Sequence, residues 1–427
     1  MKKNLFIIAF LFEYFFIQAQ TYSLFDCINY AYNHRIELQK QETAQNYYYQ
    51  HYKYSKYGLL PSLNMQTDFQ NSYNRENRLA QSGVAELTGK LILFDGFQTF
   101  NSLKQSKLLT ERNKTYTEKI RNDIRMEITE IYFGILLAME NSKIFQNSIE
   151  STKKQIIKIS ESVKAGRISN IDLLEMQAQS EKERSSLIAT NKQFGQHIIR
   201  LKRAMNYNEK DTFIISSAPM DYLLFDDRTN LENLFLSAIS TLPEFQLAKQ
   251  DSLFAVYDIK RIKGQYAPYL TLFGNLSSQY QKLPSFENKK ILTQMEDNWT
   301  KTMGISFVIP IYNRHEIKKQ QLEKEKQLSD ILLDNGQLHH DVYFEIEKIN
   351  HEIMQSQKNI QSLEKRLEYY RQIHTMRMEQ YHHGVLSITD LLIAENNARN
   401  AESELAYEKY NLLYNKVLIY FYCGINF

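Results

Sequence analysis

The chain has 427 residues, of which only 13 are Gly and 6 are Pro, far below the usual shares of about 7 % and 5 %. Long uninterrupted helices are expected, not a loop-rich enzyme or a disordered chain. The 52 basic and 49 acidic residues are spread along the chain and leave a net charge of +3, which offers no clustered basic face for nucleic acid.

Residues 1–20 run from Lys2-Lys3 through an apolar stretch, Leu5 to Ile17, to Gln18-Ala19-Gln20. This is the layout of a secretory signal peptide cleaved after Ala19 or Gln20. No later run reaches the roughly 18 apolar residues of a membrane-spanning helix. An exported chain of this kind is soluble beyond the inner membrane or crosses a membrane as a β-barrel.

Residues 22–58 then read as a helix of roughly 55 Å. From Leu63 the odd positions are Leu63, Met65, Thr67, Phe69, Asn71 and Tyr73, against Ser62, Asn64, Gln66, Asp68 and Gln70. A return stretch sets Ala85, Leu87, Gly89, Leu91 and Leu93 against Glu86, Thr88 and Lys90. From Ile124 a stripe of mostly Ile, with Ala138, Ser142, Phe145 and Thr152 among them, recurs at steps of four and three as far as Val163, which is a coiled-coil rhythm. Helices are expected again over 171–206 and 229–264. Strands follow, with Leu270, Leu272 and Leu276 opposing Thr271, Asn275 and Ser277. Then Trp299, Met303, Ile305, Phe307 and Ile309 oppose Thr300, Thr302 and Ser306. Residues 313–383 read as one helix of about 106 Å, whose Ile and Leu stripe is interrupted at Ser356.

The chain repeats itself. Gly166-Arg-Ile-Ser169-Asn-Ile-Asp172-Leu-Leu returns 218 residues later as Gly384-Val-Leu-Ser387-Ile-Thr-Asp390-Leu-Leu. The same offset maps Phe94-Asp95 onto Tyr312-Asn313, whereas Pro61 answers Pro268 at 207, so the second half holds 11 more residues between proline and strand end. This is a tandem duplication with a length change in a polar loop: a signal peptide over 1–20, a first repeat over 21–227 and a second over 228–427. The period-two strands, with one apolar face, fit transmembrane barrel strands. Four strands cannot close a barrel, and open edges do not survive in lipid. Three chains would supply 12 strands, so a homotrimer is expected.

In each repeated motif the Gly suits a left-handed helix end and the Ser an N-cap, with Asp at the third helical position. Two histidine pairs, His339-His340 and His382-His383, point about 100° apart on a helix and do not converge on a metal as i, i+4 ligands do. No metal, cofactor or catalytic residue is expected, since nucleotide-binding, nucleophile-elbow and zinc-protease motifs are missing from the sequence.

The duplicated hairpin tips, the Phe94-Asp95-Gly96 strand-to-helix corner, Pro268-Tyr269-Leu270 opening a strand, and the tandem halves together resemble TolC-like outer membrane efflux proteins. The resemblance spans essentially the whole mature length. It implies a mainly helical chain: a long antiparallel coiled-coil α-barrel in the periplasm, continued by a trimeric 12-stranded β-barrel in the outer membrane. It also implies a periplasmic adaptor and an inner-membrane pump as partners, with hairpin tips near Gly166, Ser169, Gly384 and Ser387 for adaptor docking. The tunnel constriction maps to Asp172, Asp390 and Tyr381; Leu386 and Ile393 stand where the family carries an Arg and a second acidic ring. Trp299, Tyr73 and Tyr280 are expected at the membrane–water interface with outer-membrane lipid. The expected function is a passive exit duct for small molecules, with two alternatives: the outer-membrane duct of a type I protein secretion system, or an exported coiled-coil scaffold without a pore.

Overall fold

The computed structural model describes residues 21–73, 79–208, 213–216, 230–282 and 289–424; the expected signal peptide lies outside them. In chain order the elements are β1 (Thr21–Tyr22), α1 (Leu24–His34), α2 (Ile36–Ser55), β2 (Ser62–Tyr73), β3 (Leu79–Phe94), α3 (Gln98–Lys164), α4 (Asn170–Met205) and β4 (Ile214–Ile215). The second half continues with α5 (Leu231–Thr241), α6 (Pro243–Gly264), β5 (Tyr269–Lys282), α7 (Ile291–Asp297), β6 (Thr300–Val308), α8 (Glu316–His382) and α9 (Ile388–Tyr422). Helices α3 and α8 have 67 residues each, as the scarcity of Gly and Pro requires. Among the described residues no helix is long and apolar enough to cross a membrane.

Two expected helices are each interrupted once. The stretch 229–264 breaks at Leu242, extended at φ −72°, ψ 127°, because Pro243 crowds the residue before it and has no N–H to donate. The stretch 22–58 breaks at Arg35, also extended, at φ −71°, ψ 125°. Here no proline acts; the Arg35 guanidinium reaches Glu127 at 2.5 Å and Glu37 at 3.3 Å.

The fold comprises two compact units. One contains the described parts of Met1–Leu38, Arg121–Leu234 and Ile346–Phe427. Its core is the expected isoleucine stripe: Ile124, Ile128, Ile131 and Ile135 of α3, with Ile346, Ile349 and Ile353 of α8, are all nearly inaccessible. β1 and β4 pair in parallel, and Phe213 stacks on Tyr22 at 5.0 Å.

The other unit holds Gln39–Ile120 and Phe235–Glu345. Its sheet is an antiparallel meander, β2-β3-β5-β6. The register is decisive for the faces. Odd residues of β2 pair with odd residues of β3, those with even residues of β5, and those with odd residues of β6. Leu63, Met65 and Phe69 therefore share one face with Leu87, Leu91, Leu272, Leu276, Met303, Ile305 and Phe307. Gln66, Glu86, Thr88, Asn275, Thr302 and Ser306 share the other. Four separate alternations thus agree on one apolar face, much of it exposed: Met65 is 74 % and Met303 80 % accessible.

The strand-to-helix corner uses backbone conformations that only special residues adopt easily. Gly96 and Phe97 both have positive φ, as do Arg314 and His315, 218 residues later. Asp95 caps α3, accepting from the Thr99 amide at 2.7 Å and its hydroxyl at 2.5 Å. Gly96 and Gly264 meet backbone to backbone: a Cβ on either would stand 2.1 or 2.4 Å from the other's carbonyl oxygen. Where the sequence predicts only a polar loop, the extra residues of the second half include the short helix α7. It is tied to β5 by Ser278 Oγ donating to the Met295 carbonyl at 2.6 Å and Asn298 Nδ2 donating to the Gln279 carbonyl at 3.1 Å.

Candidate functional site

The two repeated motifs close two equivalent helical hairpins, α3–α4 and α8–α9. At the first, the Gly166 amide bonds the Val163 carbonyl and the Arg167 amide bonds the Ser162 carbonyl, each at 2.9 Å. At the second, Gly384 bonds Tyr381 at 2.9 Å and Val385 bonds Gln380 at 3.0 Å. Both are the paired bonds of a left-handed helix end. Gly166 and Gly384 have φ +71° and +70° with nothing within 4 Å of a built Cβ, so glycine serves the backbone angle, not space. Ser169 accepts from the Ile171 amide at 3.1 Å, and Ser387 from the Asp390 amide at 3.2 Å.

The two aspartates, equivalent in the repeat, then diverge. Asp390 stays local: Ser387 Oγ donates to it at 2.7 Å, and Arg377 lies 3.7 Å away. Asp172 is used across hairpins, accepting from the Tyr381 hydroxyl at 3.0 Å. The difference is written 218 residues upstream, where Ile159 and Val163 stand in the places of Arg377 and Tyr381; the first hairpin has no side chain to offer in return. The Tyr381 ring is 4 % exposed, clustered with Ile159, Met176, Ile388 and Leu391. Burial, and then its bond to Asp172, raise its pKa well above the ordinary phenol value, so the hydroxyl stays a donor. Leu386 packs against the same cluster, whereas Ile393 is 54 % exposed. Thr389 Oγ1 donates to Glu175 at 3.2 Å, a second link between the tips.

Arg377 was not singled out in the sequence, because an Arg within a charged helix reads as solvated. Its spacing of four before Tyr381 was the available signal. One deeper group was missed as well. Arg399 of α9 bonds Glu183 of α4 at 2.5 Å, with side-chain exposures of 9 % and 0 %. Single helices do not show that these two charges, 216 residues apart, share one interior.

The three expected interface aromatics part company. Tyr73 and Trp299 are exposed, and Lys301 lies 4.3 Å over the Trp299 ring. Tyr280 is 5 % exposed, stacked on Phe69 at 6.4 Å across Gly83; the missing side chain of that glycine leaves room for the ring to lie flat on the sheet. His339 packs on Phe245 at 4.7 Å while His340 lies along Phe344, so this pair splits between two neighbourhoods. Among the described residues no three His, Cys, Asp or Glu converge as metal ligands.

Residues 27–207 match the family model of the outer membrane efflux protein. No curated protein matches the chain. Solved structures share the fold over nearly the whole chain. CusC, described with transmembrane channel formation, is similar at a TM-score of 0.82 and 14 % identity, over 94 % of this chain and 92 % of that one. The outer-membrane channel OprN aligns at 0.79 and 15 %, over 94 % and 90 %. The outer membrane protein VceC from Vibrio cholerae aligns at 0.78 and 13 %, over 94 % and 96 %.

Proposed function

With an outer membrane efflux protein signature over residues 27–207 and the fold of outer-membrane channels along its length, we propose that this chain is the exit channel of a tripartite efflux system. It sits in the cell outer membrane with a periplasmic helical extension, and passes small molecules delivered by an inner-membrane pump through a periplasmic adaptor. Three copies form the conduit. One observation carries this reading: a four-stranded sheet, apolar on one face of every strand, whose outer strands β2 and β6 have no further strand partner among the described residues. Such edges are tolerable in lipid only when another chain pairs with them.

Within the conduit, the hairpin tips around Gly166, Ser169, Gly384 and Ser387 take the adaptor, and the Tyr381–Asp172 bond holds the channel closed. Asp390, already engaged by Ser387 and Arg377, contributes to the constriction as part of that pairing.

The test is cysteine cross-linking of the edges in native outer membranes. A variant with Cys27 and Cys423 replaced by Ser would carry Gln66→Cys on β2 and Thr302→Cys on β6. Oxidation should give covalent dimers and trimers, and purified protein should conduct ions in planar bilayers. Monomers only, without conductance, would refute the reading.

A further inference from the structure

Beyond the tips, unit one contains a buried polar layer that neither packing nor the conduit reading requires. Glu183 of α4 accepts from Arg399 Nη1 at 2.5 Å, from Ser148 Oγ of α3 at 3.0 Å and from Gln179 Nε2 at 3.0 Å. Its second oxygen accepts from Thr152 Oγ1 of α3 at 2.9 Å. Arg399 also bonds Asn396 on its own helix. A second carboxyl, Glu395, lies on the far side of Thr152 with Oε1 3.4 Å from the same hydroxyl. Glu395 is 6 % exposed; its Oε2, and both polar atoms of the neighbouring-layer Gln155, are buried without a hydrogen-bond partner.

The geometry counts protons. A hydroxyl has one hydrogen, and the shorter contact, to Glu183, takes it. The 3.4 Å approach to Glu395 is then a hydrogen bond only when Glu395 itself carries a proton. Charge agrees. Two ionised carboxylates facing one guanidinium leave a net negative interior, whereas a neutral Glu395 leaves the Glu183–Arg399 pair balanced.

The α8 side of the layer is set by register. Arg371 pairs with Glu402 at 2.7 Å and Arg377 with Asp390 at 3.7 Å, so His374 between them belongs to the stretch of α8 that lies along residues 390–402 of α9. Its Nε2 is buried without a partner. Burial lowers its pKa below the ordinary imidazole value, so it brings no positive charge to the layer at neutral pH.

We propose that this layer is a proton-operated clamp on the helical hairpins: Glu395 is protonated when α3, α4 and α9 are packed, and losing that proton loosens them. Burial first, then the charge of Glu183, push the Glu395 carboxyl from its ordinary 4.5 up to about 7, against the opposing pull of Arg399. A carboxyl raised in the packed state binds its proton more tightly there than in the open state. The packing it supports is therefore complete below about pH 4.5 and declines as pH rises towards 7. A fall in periplasmic pH tightens the hairpins, and a return to neutrality relaxes them. The clamp stands on the geometry of unit one alone and does not depend on conduction.

The experiment is hydrogen exchange, read by mass spectrometry on full-length protein in detergent across about pH 5 to 8, corrected for intrinsic exchange rates. Protection of peptides covering 145–185 and 385–402 should fall by about ten- to a hundredfold over that range in the wild type. Glu395→Gln should hold the low-pH protection throughout, and His374→Gln should keep the wild-type profile. A flat wild-type profile overturns the clamp, as does a wild-type profile in Glu395→Gln or a flat one in His374→Gln. Infrared spectroscopy needs no variant. A buried carboxylic acid band should be present in the wild type near the acid end and vanish near pH 8; its absence at the acid end overturns the clamp equally.

Discussion

Tyr381→Phe is the sharpest perturbation available at the tips. The ring is 4 % exposed among Ile159, Met176, Ile388 and Leu391, and Phe keeps all of that packing. What disappears is one hydroxyl-to-carboxylate bond of 3.0 Å. Hydrogen bonds to charged groups contribute about 1.5–3 kcal/mol. Asp172 is only half-buried and recovers water, which moves the expected loss down to about 1–2 kcal/mol. That corresponds to roughly a five- to thirtyfold shift in the opening of the hairpin tips. Asp172→Ala should cost more, because it also removes an acidic group from the first turn of α4, about 0.3–1 kcal/mol beyond the bond. A double-mutant cycle separates the two contributions. Exchange of tip amides in residues 160–176 and 376–392 is the direct assay, with single-channel conductance beside it. In the double variant the effects should fall short of their sum by about 1–2 kcal/mol. Strict additivity, or a Tyr381→Phe protein indistinguishable from wild type, would show that the two groups are neighbours and nothing more.

Three other outcomes follow from the same geometry. Gly264→Ala puts a Cβ 2.4 Å from the Gly96 carbonyl, an immovable backbone atom, and should abolish folded protein in outer-membrane fractions; Gly274→Ala, with 3.9 Å of clearance, should fold. Ile305→Lys on the apolar face should destabilise the assembled sheet by about 2–4 kcal/mol near mid-membrane, while Thr302→Lys on the other face should cost far less, as read by the temperature at which oligomers dissociate on gels. Glu183→Ala takes from Arg399 its hydrogen-bonded carboxylate and should cost about 3–5 kcal/mol of thermal stability at acid pH, where Glu395 stays protonated, and less near neutrality, where Glu395 can ionise in its place; the further change Arg399→Met should recover part of the acid-side loss.

What the sequence discloses here depends on how far apart the interacting parts are. The strand faces were legible because alternation is local, and the register of Phe69 against Gly83 and Gly83 against Tyr280 merely aligns patterns already present in each strand. The isoleucine stripe of α3 was legible for the same reason. Both helix breaks fall inside stretches expected as single helices: Pro243 marks one by its own chemistry, whereas at the other the partners that meet the chain are distant, Glu127 lying 92 residues from Arg35 and Asn206 172 from His34. α7 was not legible, because seven residues are too few to show a helical period, and its ties to β5, Ser278 to the Met295 carbonyl and the Gln281 amide to Gln294, come from outside the segment. Thr152 was visible as a polar member of an apolar stripe, but its partners Glu183 and Glu395 come from two other helices, and only three helices together make a buried carboxyl out of an apparently solvated one.

The two interrupted helices have a consequence for the duplicated halves. Leu242 and Arg35 lie 207 residues apart, the same spacing as the prolines that precede β2 and β5, and have nearly identical backbone angles. One bend is covalent: Pro243 enforces it in any solvent. The other has no proline: Arg35 stands between Glu37 and Glu127, and the His34 carbonyl beside it accepts from Asn206 Nδ2 at 2.9 Å, so side-chain contacts hold it. The same bend is thus written into the chain at one position and held by contacts between distant residues at the other, so substitution of Asn206 or Glu127 should act on the bend at Arg35 and leave the one at Leu242 in place.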